Sequence, residues 1–242
     1  MGELHDVTIL IAGATSAAGV AVARALCDAG ATVLAAGSNA DRLASALPFV
    51  HGRYEVDLTN HGAVSELHAL IDTERGPIDG LLHLVGGWRG GKGLPGQIDD
   101  DYAYLHTQIL GTLRNTSRVF RDDLVASACG RIAIVSATAV DAPSGSNANY
   151  STAKAAAEAW MKSVAAELRV AQSGNKLTPV PQRAAAVRWV IKAFTDPATR
   201  AAHPDRSTTG FTDVSALGTA ALELFTHDAA QLNGARIHLP VL

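Results

Sequence analysis

Short, mostly β-branched apolar runs alternate with longer alanine-rich stretches along the whole sequence, and this alternation limits the folds open to the chain. The first run, Val7–Ala12 (VTILIA), is apolar almost throughout, which is typical of a strand buried on both faces. Such strands need helices on both sides, and the alanine-rich stretches between them can supply these helices. The sequence therefore predicts an α/β fold with a single-domain, Rossmann-type, doubly wound parallel sheet of about seven strands, right-handed crossovers and flanking helices.

The predicted strands are short apolar runs that end at glycine or polar residues. They are Val7–Ala12, Thr32–Ala36, Tyr54–Val56, Gly80–Val85, Arg131–Ser136, Ala184–Val190 and Ala235–Leu239. The predicted helices carry apolar residues on one face. They are Gly19–Ala29, Gly62–Thr73, Asp100–Ala128, Ala153–Val170 and Asp213–Phe225. Ser173–Pro181 is predicted to be a loop and Asn233–Gly234 a turn, and no change of composition marks a linker between domains within residues 1–242.

The charge balance excludes several kinds of partner. With 20 Lys and Arg against 23 Asp and Glu, the net charge is -3, so we expect neither nucleic acid nor an anionic membrane surface as a partner. The start, Met1–Asp6, carries two acids and lacks the basic segment of a secretory signal. Two distant cysteines, Cys27 and Cys129, predict a reduced, cytoplasmic protein, and the scattered histidines predict no metal site. His83, in the middle of an apolar strand, is expected to be a hydrogen-bonded core residue.

A glycine-rich turn, Ala12–Gly19 (AGATSAAG), lies between the first predicted strand and the first predicted helix. Gly13 permits a tight turn, the small residues after it let a pyrophosphate approach the backbone, and Gly19 allows close packing of the helix. The N-terminus of that helix then presents free N–H groups to the phosphates. At this place in an alternating chain, the turn predicts dinucleotide binding, with a purely structural turn as the alternative.

Tyr150 and Lys154 stand four residues apart in the segment Tyr150–Lys154 (YSTAK), so on a helix they share one face. A phenol titrates near ~10, and a neighbouring ammonium is expected to lower its pKa. Tyr150 could then give a proton to a substrate oxygen or nitrogen while hydride arrives from a nicotinamide. The alternative is a pair that merely occupies a helix surface.

Together with the turn, the stretch Asn147–Ala156 (NANYSTAKAA) resembles the short-chain dehydrogenase/reductase family, and the resemblance extends over almost the whole chain. The family writes the turn as T-G-x-x-x-G-x-G, where this chain has Ala12 for the Thr and Ala17 for the middle Gly. The resemblance implies an NAD(P)-dependent oxidoreductase that transfers hydride between nicotinamide and a small C=O or C=N substrate. It also implies a homodimer or homotetramer, in which Tyr150 donates the proton and Lys154 holds the nicotinamide ribose.

The resemblance also assigns cofactor contacts. These fall on Gly13, Thr15, Ser16, Ala17, Gly19, Ser38, Asn39, Asp57, Leu58, Gly86, Gly87, Tyr150 and Lys154. Asp57 would bind the adenine edge, although a turn residue is an equal alternative. At the position that selects the cofactor stands Gly37, with Arg42 nearby and no acid to repel a 2′-phosphate, so NADP(H) is preferred over NAD(H).

Two positions of the family's catalytic set differ in this chain. The family's Ser, thirteen residues before the Tyr, is matched by Ala137, and a bulge would be needed for Ser136 or Thr138 to replace it. The family's Asn, three residues before a Gly, is matched by Gln108, which is expected to support Lys154. Ser136 and Gln108 therefore join Tyr150 and Lys154 as candidate catalytic residues.

The segment Val85–Gly91 (VGGWRGG) resembles the V-G-G-W-x-G-G of dihydropteridine reductases, which also have Ala and Gln at the two differing positions. An electron-poor quinonoid dihydropterin needs less polarisation than a ketone, for which a lost donor costs ~10²–10³ in rate. That subfamily, however, has an acid where this chain has Gly37. Two alternatives stay open: an ordinary ketone or alcohol enzyme that uses Ser136 or Thr138, and a catalytically silent nucleotide-binding sensor or scaffold. Residues 195–211 lie where the family keeps its substrate-covering loop.

Overall fold

A seven-stranded sheet forms the centre of the fold, and all its strands pair in parallel. The computed structural model describes residues 4–175 and 177–242. The strands are β1 (Thr8–Ala12), β2 (Thr32–Gly37), β3 (Gly52–Glu55), β4 (Gly80–His83), β5 (Arg131–Ala137), β6 (Ala185–Ile191) and β7 (Arg236–His238). Their order is β7-β6-β5-β4-β1-β2-β3, so the winding reverses between β1 and β4. The predicted Rossmann-type, doubly wound sheet is confirmed.

Helices connect the strands and cover both faces of the sheet. The α-helices are α1 (Ala17–Asp28), α2 (Ala40–Ala46), α3 (His61–Arg75), α4 (Asp99–Leu105), α5 (Thr112–Val119), α6 (Arg121–Ala126), α7 (Ala148–Gln172), α8 (Pro197–Ala202), α9 (Val214–Thr226) and α10 (Ala229–Leu232). A π-helical turn, His106–Gly111, joins α4 to α5. Three 3₁₀ turns are Leu94–Gly96, Thr138–Val140 and Gly145–Asn147.

The core consists of two apolar layers, one on each face of the sheet. Along β1, Leu10 and Ala12 point to the layer that contains residues of α3 to α7. Ile9 and Ile11 point to the layer that contains residues of α1 and α9. All four side chains are fully buried, because successive residues of a strand face opposite sides and both sides are covered here. This two-sided burial explains the unbroken apolar character of the first run.

The long helix predicted over Asp100–Ala128 is wrong as a single element. The structure has α4, a π-helical turn, α5 and α6 there. The chain leaves helical geometry at Phe120, whose φ is -91° and ψ is 7°, and whose side chain is fully buried in the core. A periodic pattern continues across such a bend, because both helices bury a face in the same core.

Other differences are small. The third strand covers Gly52–Glu55 rather than Tyr54–Val56, and α7 begins at Ala148, five residues before the predicted start. The predicted loop Ser173–Pro181 contains an antiparallel pair of two-residue strands, while its Lys176 lies outside the described residues, as do Met1–Glu3. Three short helices were not predicted: α2, α8 and α10. Their capping residues share one signal, a side-chain oxygen that accepts a backbone N–H of the first turn, and they are Asn39, Asp196 and Asp228.

Within residues 4–175 and 177–242, no helix combines the length and the hydropathy that a bilayer crossing requires. The same residues contain no group of three or more His, Cys, Asp or Glu side chains arranged to hold a metal ion.

Candidate active site

The glycine-rich turn packs directly against the segment that follows β4. Gly13 has a φ of +80°, and a Cβ at this position would lie 2.8 Å from the Val85 nitrogen. A Cβ on Gly19 would collide with the Ala14 carbonyl. Ser16 caps α1, since its Oγ accepts the Gly19 N–H at 3.0 Å. The turn therefore needs glycine at both positions, and it leaves the N-terminus of α1 at the carboxyl edge of the sheet.

Two cavities flank this turn. The larger, of about 430 Å³, is lined by Ser16, Ala17, Ala18, Leu84, Val85, Gly86, Gly87, Val135, Lys154, Ile191, Phe194, Asp196 and Val214. The smaller, of about 160 Å³, is lined by Gly13, Thr15, Gly37, Ser38, Val56, Asp57, Leu58, Thr59, Val85, Gln108 and Thr112. Val85 lines both cavities. Two neighbouring spaces at the point where strand order reverses fit the two halves of a dinucleotide.

Most of the residues predicted to contact the cofactor line one of these cavities. Three do not: Gly19 lies beneath the turn, Asn39 caps α2 by accepting the Arg42 N–H at 2.8 Å, and Tyr150 lines neither cavity, although Lys154, one helical turn away, lines the larger one. Sequence reasoning missed the apolar lining of the larger cavity, such as Val135, Ile191 and Phe194. A sequence signal for these residues was available, because they lie at or just beyond the carboxyl ends of β5 and β6, and ligands bind at that edge of a parallel sheet.

Asp57 is a turn residue that also lines the smaller cavity. Its Oδ1 accepts the Thr59 N–H at 2.9 Å and the Thr59 Oγ1–H at 2.7 Å, which makes it a turn residue. These hydrogen bonds lower the pKa of its carboxyl group. Asp57 also lines the smaller cavity, and among the described contacts its Oδ2 accepts no hydrogen bond.

Tyr150 and Lys154 lie in the first two turns of α7. Lys154 is 6% exposed, and its Nζ donates to the Val135 carbonyl at 2.7 Å. The half-buried ring of Tyr150 has its centroid 5.8 Å from Lys154 Nζ. The helix thus brings the pair together and fixes the amine on β5 at the wall of the larger cavity.

The acid–base properties of this pair differ from the sequence expectation. Burial raises the pKa of Tyr150 to about 12, whereas a lowered value was expected. Burial also lowers the pKa of Lys154 to about 8, an effect that the Glu158 carboxylate partly opposes. Desolvation of the phenolate therefore outweighs the attraction of the amine. At neutral pH, Tyr150 carries its proton and Lys154 is mostly an ammonium.

The structure contradicts Ser136 as a replacement for the missing serine. Ser136 is 1% exposed, and its Oγ donates to Glu158 Oε1 at 2.6 Å, on the side of the sheet that α7 covers. The pairing of β5 with β6 runs without interruption from Arg131 to Ala137, so no bulge turns this hydroxyl around. Thr138 begins a 3₁₀ turn and is half-buried, so it remains available as a substitute.

Gln108 lies in the π-helical turn and lines the smaller cavity. Its carbonyl accepts the Thr112 hydroxyl proton. Among the described contacts, its side chain makes no hydrogen bond to Lys154, whose partner is the Val135 carbonyl instead. The expected support of Lys154 by Gln108 is therefore not present in this arrangement.

His83 is a core residue with both ring nitrogens in hydrogen bonds. Nε2 lies 3.0 Å from Thr112 Oγ1, and Nδ1 lies 3.1 Å from Thr116 Oγ1. Both hydroxyls also reach backbone carbonyls, that of Thr112 at Gln108 and that of Thr116 at Thr112 and Leu113. Burial, with Lys154 nearby, lowers the pKa of His83 to about 3, so the ring is neutral.

A partly buried ionic group lies next to Lys154, and sequence reasoning missed it. We call it the Glu158 cluster; it comprises Ser136, Asp141, Glu158, Arg188 and Arg236. Arg236 Nε lies 2.9 and 3.0 Å from the two Glu158 oxygens, and Arg188 Nη1 lies 3.5 Å from Oε2. Two sequence signals were present: an acid one turn after Lys154 on an apolar helix face, and an arginine in the middle of an apolar strand.

A parallel sheet that reverses its order beside a glycine-rich turn, with a cavity on either side of that turn, defines the Rossmann class of α/β proteins. Within this class, residues 7–173 match the family model described as short chain dehydrogenase, and the chain belongs to that family.

The chain is similar to curated and structurally known proteins. It is 30% identical over 169 residues to 2,3-dihydro-2,3-dihydroxybenzoate dehydrogenase of Bacillus subtilis (strain 168), a match that covers 65% of this chain and 62% of that protein. The chain thus spans less than two thirds of the length of the curated relatives that it matches.

Solved structures share the fold over 98% of this chain. A gluconate 5-dehydrogenase of Burkholderia cenocepacia J2315, in complex with NADP and tartrate, has a TM-score of 0.77 at 20% identity, with 94% of that chain covered. The NADPH-bound short chain oxidoreductase of Pseudomonas aeruginosa PAO1, which contains an atypical catalytic center, has a TM-score of 0.83 at 16% identity, with 96% covered.

Proposed function

We propose that this protein is an NAD(P)H-dependent reductase of a small C=O or C=N substrate, with Tyr150 as the proton donor. The placement of Tyr150 and Lys154 carries the proposal. Both stand at the start of α7, where Lys154 lines the larger cavity and its amine is anchored to β5. Of the three N–H bonds of the ammonium, one goes to Val135, which leaves two for the hydroxyl groups of a ribose.

The protonation states favour reduction over oxidation near neutral pH. A nicotinamide cofactor, when bound, supplies a hydride to the acceptor carbon. Tyr150 Oη–H then breaks as its proton passes to the acceptor oxygen or nitrogen, and the phenolate that remains is stabilised by the charge of Lys154. Because burial keeps the pKa of Tyr150 at about 12, the phenol holds the proton that this step requires.

NADP(H) is the proposed cofactor, in preference to NAD(H). Where β2 ends, the smaller cavity is lined by Gly37 and Ser38, neither of which is an acid that would repel a 2′-phosphate; the acid in its lining is Asp57, which follows β3. Asn39 follows Ser38 and caps α2, since its side-chain Oδ1 accepts the backbone N–H of Arg42. The NADP and NADPH complexes of proteins with the same fold are consistent with this preference.

We further propose an activated, electron-poor acceptor, in the manner of dihydropteridine reductases. Ala137 offers no hydroxyl group, and the Ser136 hydroxyl is held on Glu158. A substrate that needs little polarisation tolerates this loss better than a ketone does. An ordinary ketone or alcohol enzyme would have to use Thr138, so Thr138→Ala should abolish turnover of a ketone but leave turnover of a quinonoid dihydropterin nearly unchanged.

The test of the function is a spectrophotometric assay of NADPH and NADH oxidation with carbonyl, imine and quinonoid dihydropterin acceptors. Tyr150→Phe should lower turnover by ~10²–10⁴ while the Kd of the cofactor stays within a factor of about two. Tyr102→Phe, which removes an exposed phenol on α4, is the matched control. Cofactor binding by the wild type without hydride transfer to any acceptor would favour the silent sensor or scaffold instead.

Further proposals concern the oligomeric state, the location, the partners and the substrate-covering segment. We expect a homodimer or homotetramer, a cytoplasmic location, and no nucleic-acid or membrane partner. Residues 195–211 are proposed to cover the substrate. This segment contains α8, and its neighbour Phe194 together with Asp196 lines the larger cavity.

A further inference from the structure

Lys154 is an ammonium in a place with little water to solvate it. The charged and titratable groups around it come from several elements. They are Tyr150 and Glu158 on α7, His83 on β4, Arg188 on β6, Arg236 and His238 on β7, and Asp196 across the larger cavity. His83 is neutral, and Asp196 caps α8 at the wall of the cavity. Glu158, one helical turn from Lys154, is the buried anion on the same helix face.

Two hydrogen bonds join the start of α7 to the end of β5. Lys154 Nζ donates to the Val135 carbonyl at 2.7 Å, and the Ser136 hydroxyl donates to Glu158 at 2.6 Å. The two strand residues are adjacent, and the two helix residues are one turn apart. Together, the two hydrogen bonds therefore fix the position of α7 along β5.

The Glu158 carboxylate is held in turn by two arginines, Arg236 from the edge strand β7 and Arg188 from its neighbour β6. Arg188 and Glu158 are both 5% exposed, so neither charge is solvated by water. Arg236 bridges Glu158 to Asp141, since its Nη2 donates to Asp141 Oδ2 at 2.8 Å. Asp141 lies in the connection between β5 and α7, a few residues before Tyr150. The cluster thus restrains the helix and the segment that leads into it.

We propose that Glu158 is a positioning residue, whose carboxylate keeps Lys154 in its ammonium form and holds the start of α7 in register with β5. The proposal deepens the proposed function, because the charge of Lys154 matters to Tyr150 only in a proton-transfer site. Ser136, Arg188 and Arg236 act by fixing the position of the Glu158 carboxylate. None of these four residues lines either cavity.

The cluster predicts shifts of opposite sign for two substitutions. Glu158→Gln removes the neighbouring negative charge and leaves Arg188 without its anion, while Arg236 keeps Asp141, so Lys154 should lose its proton at lower pH. Arg236→Gln removes a positive charge and leaves Glu158 in place, so Lys154 should lose its proton at higher pH. A cluster that served folding alone would show no such opposition, because both substitutions would simply loosen the structure.

The experiment is an NMR titration of the full chain with ¹³Cε-labelled lysine between pH 6 and pH 11. The lysines are Lys92, Lys154, Lys162, Lys176 and Lys192, and Lys154→Arg assigns the resonance of interest. In the wild type, its midpoint is expected near pH 8. Glu158→Gln should lower the midpoint by about one pH unit, and Arg236→Gln should raise it by ~0.5 unit. Lys162, exposed on the same helix, serves as the internal control.

Unchanged midpoints in both variants, or shifts of the same sign, would overturn the proposal. Should Glu158→Gln not fold, Arg236→Gln still decides it, because Arg236 is 22% exposed on the edge strand and the sign of its shift is diagnostic. A cofactor-binding and turnover assay on the same samples separates a failure of the Glu158 proposal from a failure of the proposed reductase function. Opposite midpoint shifts without any turnover would support the cluster and refute the reductase, whereas turnover with unmoved midpoints would do the reverse.

Discussion

Around the glycine-rich turn, β1 to β4 present backbone and small side chains to the cavities, whereas β5 to β7 hold buried charges against α7. In the first region, the backbone packs so closely that Gly13 and Gly19 have no room for a Cβ. In the second, Glu158 and Arg188 are buried charges, and the partly exposed Arg236 completes the group beside Lys154. The difference indicates that close backbone packing shapes the first region, whereas buried charge sets the electrostatics of the second.

The largest expected effect tests the first region. Gly13 and Gly76 both have a φ of +80°, but a Cβ on Gly76 meets nothing within 4 Å. Gly76→Ala should cost about 1 kcal/mol of unfolding free energy, from backbone strain alone. Gly13→Ala should cost on the order of 3 kcal/mol, because the Cβ also collides with the backbone at Val85. Urea denaturation of both variants measures this, and equal losses would refute a role for close approach.

A second prediction concerns the buried amine. The pKa of Lys154 is lowered by burial to about 8, so the unfolded chain binds the extra proton between pH 8 and the ordinary lysine range. The buried charge of Lys154 therefore lowers the free energy of unfolding by its full amount below pH 8, and this loss becomes smaller as the pH rises. Between pH 7 and pH 10, the wild type should gain about 2–3 kcal/mol relative to Lys154→Met. Lys162→Met, at an exposed position of α7, should follow the wild type in the same urea series.

His83 provides a third prediction, at the border of the two regions. Since burial lowers its pKa to about 3, the unfolded chain binds the proton first, and stability falls as the pH drops below the ordinary histidine range. From pH 7 to pH 5, the wild type should lose about 2 kcal/mol more than His83→Asn. His61→Asn, at the exposed start of α3, should keep the acid sensitivity of the wild type. An acid sensitivity in His83→Asn equal to that of the wild type would contradict the neutral ring.

The smallest effect is expected where charges meet in solvent. Arg121 and Glu167 form a surface pair at 2.6 Å, with 37% and 54% of the side chains exposed. Glu167→Gln should change the free energy of unfolding by about 0.5 kcal/mol or less. Glu158→Gln, which leaves a buried arginine without its anion, should cost several-fold more in the same thermal or urea measurement. Similar costs for the two substitutions would contradict the distinction between the buried charges of the Glu158 cluster and a charge pair at the surface.

Much of the fold follows from local patterns. The apolar run before Gly13 and the alanine-rich stretch after it define β1 and α1, because burial on both faces and a 3.6-residue period leave traces within a few residues. At Phe120, the local sequence pattern no longer predicts the structure. Its neighbours continue a helical pattern, and only packing against distant strands explains the bend.

The candidate site likewise has parts that the sequence predicts and parts that it does not. Tyr150, Lys154 and the glycines were predicted because each depends on spacing within one short segment. The orientation of Ser136 depends on the register between β5 and β6, and the pKa of Tyr150 depends on burial by the whole fold. Glu158 and Arg236 are 78 positions apart in sequence, so no local pattern connects them.

That separation along the chain has a consequence for biosynthesis. A ribosome releases β1 to β4 and the glycine-rich turn early, and this part can begin to pack while translation continues. Glu158 emerges next but still lacks Arg236, which belongs to the last strand of the sheet. A nascent chain interrupted before β7 would therefore have Glu158 and Arg188 but lack Arg236, so the Glu158 cluster is completed only once β7 has been made.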